Sequence, residues 1–351
     1  MSEIAVGLAG VGYWGSKLAR NIDEAAGCRL AAICEPDPDR LAAGGARYRD
    51  AVRFDTLDEL LAADGIEAVV IATPASMHAD HVRAALEAGK HVLVEKPLAL
   101  SVRDCDELVD RAEANGRTLM VGHTFVYSEP VRLLRQLVEA GELGRVLYAY
   151  AQRLNLGVIR EDLNALWNFG PHDVSILLYV LGRMPERVGA HQYSLLNRRL
   201  EDVVFLVLEF PDEIVAHVHE SWLDPRKIRE LTVVGDRKMV VYDDTDVETP
   251  LRIYDKGIAL PDPGEIRSSE LGFGEFKLET RTGDMLAPRV PSREPLRAEV
   301  EHFVDCIVNG SPPETDACHG RDVVRILEAA DLSAQTGRPV ELSWVDQAIA
   351  R

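Results

Sequence analysis

Short apolar runs alternate with amphipathic stretches through the first part of the chain. The runs have no helical spacing and are the length of buried strands; they are residues 4–8, 29–34, 68–72, 91–94 and 119–122. Between them lie stretches with helical spacing, such as Val82, Ala85 and Leu86 before Gly89. Strands that alternate with helices predict a doubly wound parallel sheet. We therefore predict an α/β domain over residues 1–122.

The pattern changes after His123. Helical spacing over 129–140, a strand over 146–154 and a helix over 172–181 precede strands with no helices between them, predicted at 203–210, 214–220, 231–234 and 239–242. Such runs predict a large, mostly antiparallel open sheet. Residues 255–295 are predicted as a long irregular excursion of unknown role with one or two short strands, and helices over 296–309 and 320–336 follow. We predict an α+β domain over 123–351, whose terminal helix packs back on the first domain.

The first apolar run leads directly into a glycine motif. Gly10, Gly12 and Gly15 match G-x-G-x-x-G between a predicted strand and a predicted helix, which is the context of a Rossmann dinucleotide site. Glu35 lies 20 residues after Gly15, at the end of the second strand. A carboxylate there accepts hydrogen bonds from ribose hydroxyls and repels a 2′-phosphate. We predict NAD as the cofactor in preference to NADP, which only Arg40 would favour.

Charge and cysteine content narrow the class of partner and the compartment. The 351 residues carry 39 Lys and Arg against 58 Asp and Glu, for a net charge of −19. This acidity argues against nucleic acid or an anionic membrane as the main partner, because both would repel the chain. The five cysteines form no C-x-x-C pair, which is typical of a reduced, cytoplasmic protein. We predict no metal site.

Residues that follow each parallel strand are the first candidates for chemistry, because ligands bind beyond the carboxyl ends of such strands. This rule selects Thr73 and Pro74 after one strand and Glu95, Lys96 and Pro97 after the next. Hydride transfer from a secondary alcohol needs a group that accepts the hydroxyl proton. Desolvation and a nearby cationic ring would favour a neutral lysine that can do this.

Several of these segments resemble the Gfo/Idh/MocA oxidoreductases, a family that includes glucose-fructose oxidoreductase, inositol dehydrogenases and sugar-nucleotide dehydrogenases. The resemblance extends over essentially the whole chain, and its carriers are GVGYWG at 10–15, ATPASMH at 72–78, GKHVLVEKPLAL at 89–100, HDVSILLYVLG at 172–182 and PLRAEVEHFVDCI at 295–307. It implies that Lys96 contacts the reacting hydroxyl and the nicotinamide, and that the Lys96–Pro97 bond is often cis. The predicted cofactor-binding residues are Gly10, Gly12, Tyr13, Trp14, Gly15, Glu35, Thr73, Pro74, His78, Glu95, Lys96 and Pro97.

The family's second catalytic element is an aspartate followed four residues later by a histidine. Here the matching residues are Asn168 and His172. An amide can hydrogen-bond a sugar hydroxyl but cannot take its proton. We expect His172 to open a helix, where the helix dipole would keep its imidazole neutral and able to accept a proton. The predicted catalytic residues are Lys96, His172 and Asn168, and the predicted substrate contacts are Lys96, His123, Tyr127, Arg153, Asn155, Asn168 and His172.

The predicted function is an NAD(H)-dependent oxidoreductase acting on a secondary hydroxyl or ketone of a sugar, sugar nucleotide or cyclitol. The segments GYWG, GHTFVY and NLG resemble the sugar-nucleotide branch of the family. Two alternatives stay open: an NAD-dependent glycosidase of the same fold, and a catalytically silent NAD-binding regulator, which Asn168 favours. The open sheet of the second domain predicts a homodimer or homotetramer, because its edges and outer face need covering.

Overall fold

The chain folds into two compact units. The computed structural model describes residues 3–157, 159, 161–196, 200–258 and 280–343. The first unit contains the chain up to Ser128 together with Arg293–Glu328, and the second contains Glu129–Ser292 and Ala329–Ser343. The predicted domain boundary, between residues 122 and 123, thus lies shortly before the observed boundary between Ser128 and Glu129. The segment Arg293–Glu328, which we predicted in the second domain, belongs to the first unit.

The first unit is built on a parallel sheet. Its elements before Ser128 are β1 Ile4–Ala9, α1 Gly15–Glu24, β2 Cys28–Cys34, α2 Pro38–Arg47, β3 Val52–Phe54, α3 Leu57–Ala62, β4 Ala68–Ile71, α4 His78–Glu87, β5 His91–Glu95, α5 Val102–Ala114 and β6 Leu119–Gly122. The described strands form a six-stranded sheet in the order β3-β2-β1-β4-β5-β6, with every neighbouring pair parallel. This confirms the predicted doubly wound Rossmann sheet. All the strand ends that carry the candidate residues therefore lie along one edge.

The sequence fits these elements for local physical reasons. Strands β1 and β4 are buried along their whole length, as both faces of a parallel sheet are covered by helices. Short polar side chains cap helices α2 and α5: Asp37 accepts from the backbone N–H groups of Asp39 and Arg40, and Ser101 accepts from that of Asp104. Strand β3 was not predicted, because it has only three residues and none of them is buried.

The second unit carries a larger sheet. Its elements are α6 Glu129–Glu139, β7 Val146–Leu154, α7 Ala165–Leu181, β8 Arg187–Tyr193, β9 Val203–Glu209, β10 Val215–Ser221, β11 Ile228–Gly235, β12 Met239–Asp243, β13 Leu251–Ile258 and β14 Thr280–Leu286. The described strands run β14-β13-β12-β11-β7-β10-β9-β8-β15, where β15 is Val340–Glu341. The pair β7 and β10 is parallel and the other neighbours are antiparallel. The predicted mostly antiparallel sheet is confirmed.

The predicted excursion over residues 255–295 is partly structured. Strand β13 extends to Ile258 and β14 begins at Thr280, and the two strands pair with each other. Residues 259–279 lie outside the described part of the chain. The role of the predicted excursion therefore stays open for that segment.

The chain returns to the first unit over Arg293–Glu328. Helices α8 Pro295–Asn309 and α9 Ala317–Thr336 follow β14, and α9 belongs to the first unit up to Glu328. Between them, the Thr315 carbonyl accepts the N–H of Val121 in β6 at 2.8 Å, and the Thr315 hydroxyl donates to the Val121 carbonyl at 2.8 Å. The guanidinium of Arg297 on α8 donates to the Asn21 side chain of α1. Among the helices of the described residues, none is both long and apolar enough to cross a membrane.

Candidate functional site

The glycine turn after β1 leaves backbone open at the sheet edge. Gly10 has φ of +93°, and a Cβ atom there would lie 2.7 Å from the carbonyl oxygen of Ala72. A Cβ atom on Gly15 would lie 2.0 Å from the carbonyl oxygen of Gly10. A Cβ atom on Gly12 would meet nothing within 4 Å. Gly10 and Gly15 are therefore required for packing, while Gly12 keeps a free approach to the backbone.

Glu35 is held against this turn. Its side chain is buried at the end of β2, where one carboxylate oxygen accepts the N–H of Val11 at 2.8 Å. The other oxygen accepts the N–H of Asp37 at 3.2 Å. These two bonds fix the carboxylate beside the glycine turn, and each oxygen retains further capacity to accept. The sequence prediction placed Glu35 at this strand end, and the geometry adds the contact with Val11.

The segment after β5 carries Lys96 at the same edge of the sheet. The Lys96–Pro97 peptide bond is cis, as the family resemblance led us to expect. Glu95 precedes the lysine, and the indole N–H of Trp14 donates to its carboxylate. This bond links the glycine turn to the segment that carries Lys96. Tyr13, beside Trp14, is 81% exposed, so its side chain is available at the surface of the turn.

Burial dominates the electrostatics of Glu95. Desolvation raises the pKa of the Glu95 carboxyl, while the charge of Lys96 and the hydrogen bonds from Trp14 and the Lys96 amide lower it. A second carboxyl, Glu299 of α8, is fully buried and accepts from the Thr124 hydroxyl at 3.1 Å. Burial raises the pKa of Glu299 well above its usual range, and Glu95 raises it further. We did not predict Glu299, because one acidic residue in an amphipathic helix carries no signal in the sequence.

The turn after β4 contains three predicted cofactor-binding residues with different surroundings. Pro74 is exposed and Thr73 is half-buried. The hydroxyl of Thr73 lies 3.0 Å from Nδ1 of His81. His78 is buried, and both of its ring nitrogens face backbone carbonyl oxygens. The predicted contact between His78 and a cofactor therefore needs correction: its polar atoms already have partners inside the protein.

The residues after β6 are more buried than we predicted. Tyr127 is fully buried, and its hydroxyl lies 2.9 Å from the Thr315 hydroxyl. His123 is also buried, with its ring in edge contact with that of His319 at 5.3 Å between centroids. Burial lowers the pKa of His123 well below its usual range. Both residues belong to the interior of the first unit. The Tyr127 hydroxyl already has a partner there, which argues against a direct substrate contact, and the predicted substrate contact of His123 stays a prediction.

Asn168 and His172 lie in the second unit, on helix α7. They are four residues apart, so their side chains lie on the same face of the helix. The helix begins at Ala165 and is capped by Asn164, which accepts from the N–H of Trp167. Our prediction that His172 opens a helix was therefore wrong. The argument from the helix dipole fails with it, because that effect is confined to the first turn.

Arg153 is buried in the second unit. Its guanidinium donates two hydrogen bonds to the Asp173 carboxylate, both at 2.8 Å. The two side chains are 6% and 5% exposed. This ion pair joins β7 to α7 and corrects the predicted role of Arg153 as a direct substrate contact, because a buried side chain with a bidentate partner is not open to a ligand. Asn155, two residues further on, is half-buried beyond the end of β7.

The fold and the edge of the parallel sheet define the class of the protein: a two-unit α/β protein whose first unit has the architecture of a dinucleotide-binding Rossmann domain. Residues 4–123 match the model of the Gfo/Idh/MocA oxidoreductase family, NAD-binding Rossmann fold. Residues 131–241 match the Gfo/Idh/MocA C-terminal domain. The chain belongs to the Gfo/Idh/MocA family of oxidoreductases.

Relatives of known name differ in chemistry. The chain is 30% identical over 227 residues to 2,7-anhydro-N-acetylneuraminate hydratase of Mediterraneibacter gnavus, a match that spans 60% of each chain. It is 26% identical over 213 residues to inositol 2-dehydrogenase of Salmonella paratyphi B, spanning 59% of this chain and 63% of that one. These matches therefore span only about three fifths of the relatives' length.

The solved structures extend the likeness in fold to nearly the whole chain. Aldose-aldose oxidoreductase from Caulobacter crescentus, solved with glycerol, superposes with a TM-score of 0.81 over 97% of this chain and 99% of that one. The sequence identity is 21%. At that identity the comparison supports the shared fold and leaves the chemistry to the residues of the site.

Proposed function

We propose that the protein is an NAD(H)-dependent oxidoreductase that acts on a secondary hydroxyl or ketone of a sugar-like or cyclitol substrate. The observation that carries the proposal is the position of Lys96. It follows β5 at the same sheet edge as the glycine turn and Glu35. Open parallel sheets bind their ligands at this edge.

The residues of the first unit suit a dinucleotide. The approach to the backbone at Gly12 is open, as a pyrophosphate requires, and the first turn of α1 follows directly. Glu35 would accept from the ribose hydroxyls and would repel a 2′-phosphate, so we propose NAD in preference to NADP. Bound NAD would supply the hydride acceptor or donor. Every other step falls to the side chains of the chain itself.

Proton transfer is the step we propose for Lys96. In oxidation, its neutral amine would accept the proton of the substrate hydroxyl, and in reduction its ammonium would return one. His172 is proposed as a second proton acceptor, and Asn168 as a hydrogen-bonding residue for a substrate hydroxyl. The finer proposal, a sugar-nucleotide substrate, rests on the likeness of the GYWG, GHTFVY and NLG segments to that branch of the family.

A second candidate is a non-redox enzyme that uses bound NAD transiently on a sugar-like ligand. Two observations favour it: Asn168 occupies the position of the family's aspartate, and one relative is named as a hydratase of an anhydro sugar acid. In this case hydride would leave the substrate and return to it, so no NADH would accumulate. The glycosidase alternative belongs to this class. A silent NAD-binding regulator would bind NAD and convert nothing.

One experiment separates these functions. The purified protein is incubated with NAD and a panel of inositols, sugars, anhydro sugars and nucleotide sugars. NADH is followed by absorbance, and the substrates are followed by mass spectrometry. Net NADH supports the oxidoreductase, and a converted substrate without NADH supports the non-redox enzyme. NAD binding without conversion of any compound in the panel supports the regulator.

The role of Lys96 is tested by Lys96→Met. We expect turnover to fall by at least about a hundredfold, because proton transfer by a positioned group contributes that much or more. NAD binding, measured by calorimetry, should be retained. Lys90→Met is the matched control: Lys90 directly precedes the amino end of β5, and its ammonium donates to the Ile66 carbonyl at 2.8 Å. Normal turnover in Lys96→Met would remove this residue from the mechanism.

A further inference from the structure

His78 contacts two turns of the sheet edge at once. Nδ1 lies 2.7 Å from the Pro97 carbonyl oxygen, and Nε2 lies 2.9 Å from the Thr73 carbonyl oxygen. The ring is 1% exposed, and it lies at the first residue of α4. One side chain therefore joins the turn after β4 to the turn that carries Lys96. The ring does so from inside the protein.

We propose that His78 is a positioning residue for Lys96, whose ring ties the Pro97 carbonyl to the Thr73 carbonyl and so fixes the backbone from which the lysine projects. This inference rests on the proposed function, in which Lys96 transfers the proton. The two contacts of the ring with carbonyl oxygens are observed in the structure, whereas their effect on turnover is inferred from them. Proton transfer depends strongly on the position of the amine relative to the substrate hydroxyl.

The protonation state of the His78 ring determines how many of the two carbonyl groups it can donate a hydrogen bond to. A carbonyl oxygen only accepts, and a neutral imidazole has one N–H group. The protonated ring donates to both carbonyls, and the neutral ring with its proton on Nδ1 keeps the contact with Pro97. Burial lowers the pKa of His78, the two carbonyl contacts raise it, and the positive charges of His81 and Lys96 lower it. With its only proton on Nε2 the neutral ring would bond Thr73 alone, so the proposal requires a proton on Nδ1.

The neighbouring His81 offers a matched control. It lies three residues further along α4, and its Nδ1 is 3.0 Å from the Thr73 hydroxyl. It therefore bonds the same turn after β4 through a side chain, and the structure gives it no hydrogen bond to Pro97. Replacing His81 tests the loss of a histidine at Thr73 alone. Replacing His78 tests the loss of the connection between the two turns.

The experiment compares His78→Phe with His81→Phe, because phenylalanine keeps an aromatic ring at each position and removes the ring nitrogens. Hydrogen exchange is measured by mass spectrometry on peptides covering residues 95–100, without substrate. We expect exchange in this segment to accelerate about five- to tenfold in His78→Phe, as for the loss of one buried hydrogen bond. It should stay unchanged in His81→Phe. Equal exchange in His78→Phe and the wild type would overturn the proposal.

A kinetic measurement then tests the link to Lys96. In His78→Phe we expect kcat to fall by about tenfold to a hundredfold, with the KM for NAD within about twofold of the wild type. A rise in this KM with unchanged kcat would overturn the positioning role and assign His78 to the cofactor. If His78→Phe does not fold, NMR of the ring nitrogens in the wild type tests the hydrogen bond to Pro97. A downfield Nδ1–H proton that is coupled across this bond supports the proposal. An unprotonated Nδ1 overturns it. A wild type without turnover refutes the proposed function, while hydrogen exchange still tests the tie.

Discussion

The buried ion pair between Arg153 and Asp173 gives the sharpest prediction of stability. The two hydrogen bonds are 2.8 Å long and the side chains are almost fully buried. Replacement of either side chain breaks both hydrogen bonds and removes the main opposite charge from a group in the interior. We therefore expect Arg153→Met and Asp173→Asn each to destabilise the second unit by about 3–5 kcal/mol, the usual cost of breaking such a pair.

The double variant separates the pair from its surroundings. Arg153→Met combined with Asp173→Asn leaves no unpaired ionic group in the interior, although it loses the guanidinium's packing. We expect it to cost less than the sum of the single variants by about 2–3 kcal/mol, as for residues that share one interaction. The free energy of unfolding is measured in urea, followed by tryptophan fluorescence, to which Trp167 and Trp222 of the second unit contribute, and by circular dichroism. Coincidence of the two signals tests whether one transition is observed.

The same variants distinguish a structural role for Arg153 from the ligand role that the sequence suggested. A substrate ligand on the surface would change stability by less than about 0.5 kcal/mol when replaced, and its loss would raise the KM for the substrate. If Arg153→Met leaves stability nearly unchanged and raises the KM for the substrate, the reasoning from burial is refuted and the predicted role of Arg153 as a substrate contact is restored. Additive single variants would also refute it, because they would mean that the two charges do not depend on each other.

Two further predictions concern the first unit. Replacement of Glu35 by serine should raise the ratio of NADP to NAD affinity at least about tenfold, because a negative charge that faces the 2′-phosphate is removed; an unchanged ratio of dissociation constants contradicts this. For His123, burial lowers the pKa in the folded state, so below about pH 6.5 the unfolded chain binds a proton that the folded chain does not. Its contribution lowers the free energy of unfolding as pH falls, by up to about 1.4 kcal/mol per pH unit. His123→Phe should remove that contribution between pH 6.5 and 5, and an equal pH slope in both proteins argues against it.

The parts of the fold that could be predicted are those with local signals. The parallel sheet appears in the sequence because each buried strand is an apolar run and each helix has its own spacing. The glycine turn could be predicted because G-x-G-x-x-G stands between an apolar run and a stretch with helical spacing, which is the context that the motif requires. Strand β8 was missed, because only Val188 and Ala190 of its seven residues are buried. Its place in the sheet is set by pairing with β9 and β15. A local sequence pattern does not show such pairing.

The candidate site was less predictable, because burial of polar groups depends on partners that are distant in sequence. Arg153 and Tyr127 look like ligand-binding residues in a loop or at a strand end, which is where such residues commonly lie. Their partners, Asp173 and Thr315, are 20 and 188 residues away. Most polar side chains in a protein interior have hydrogen-bond partners. A partner that is distant in sequence can therefore turn an apparent ligand-binding residue into a structural one. Lys96 and Glu35 escape this ambiguity because the edge of the sheet fixes their place, and the proposed chemistry depends on them for that reason.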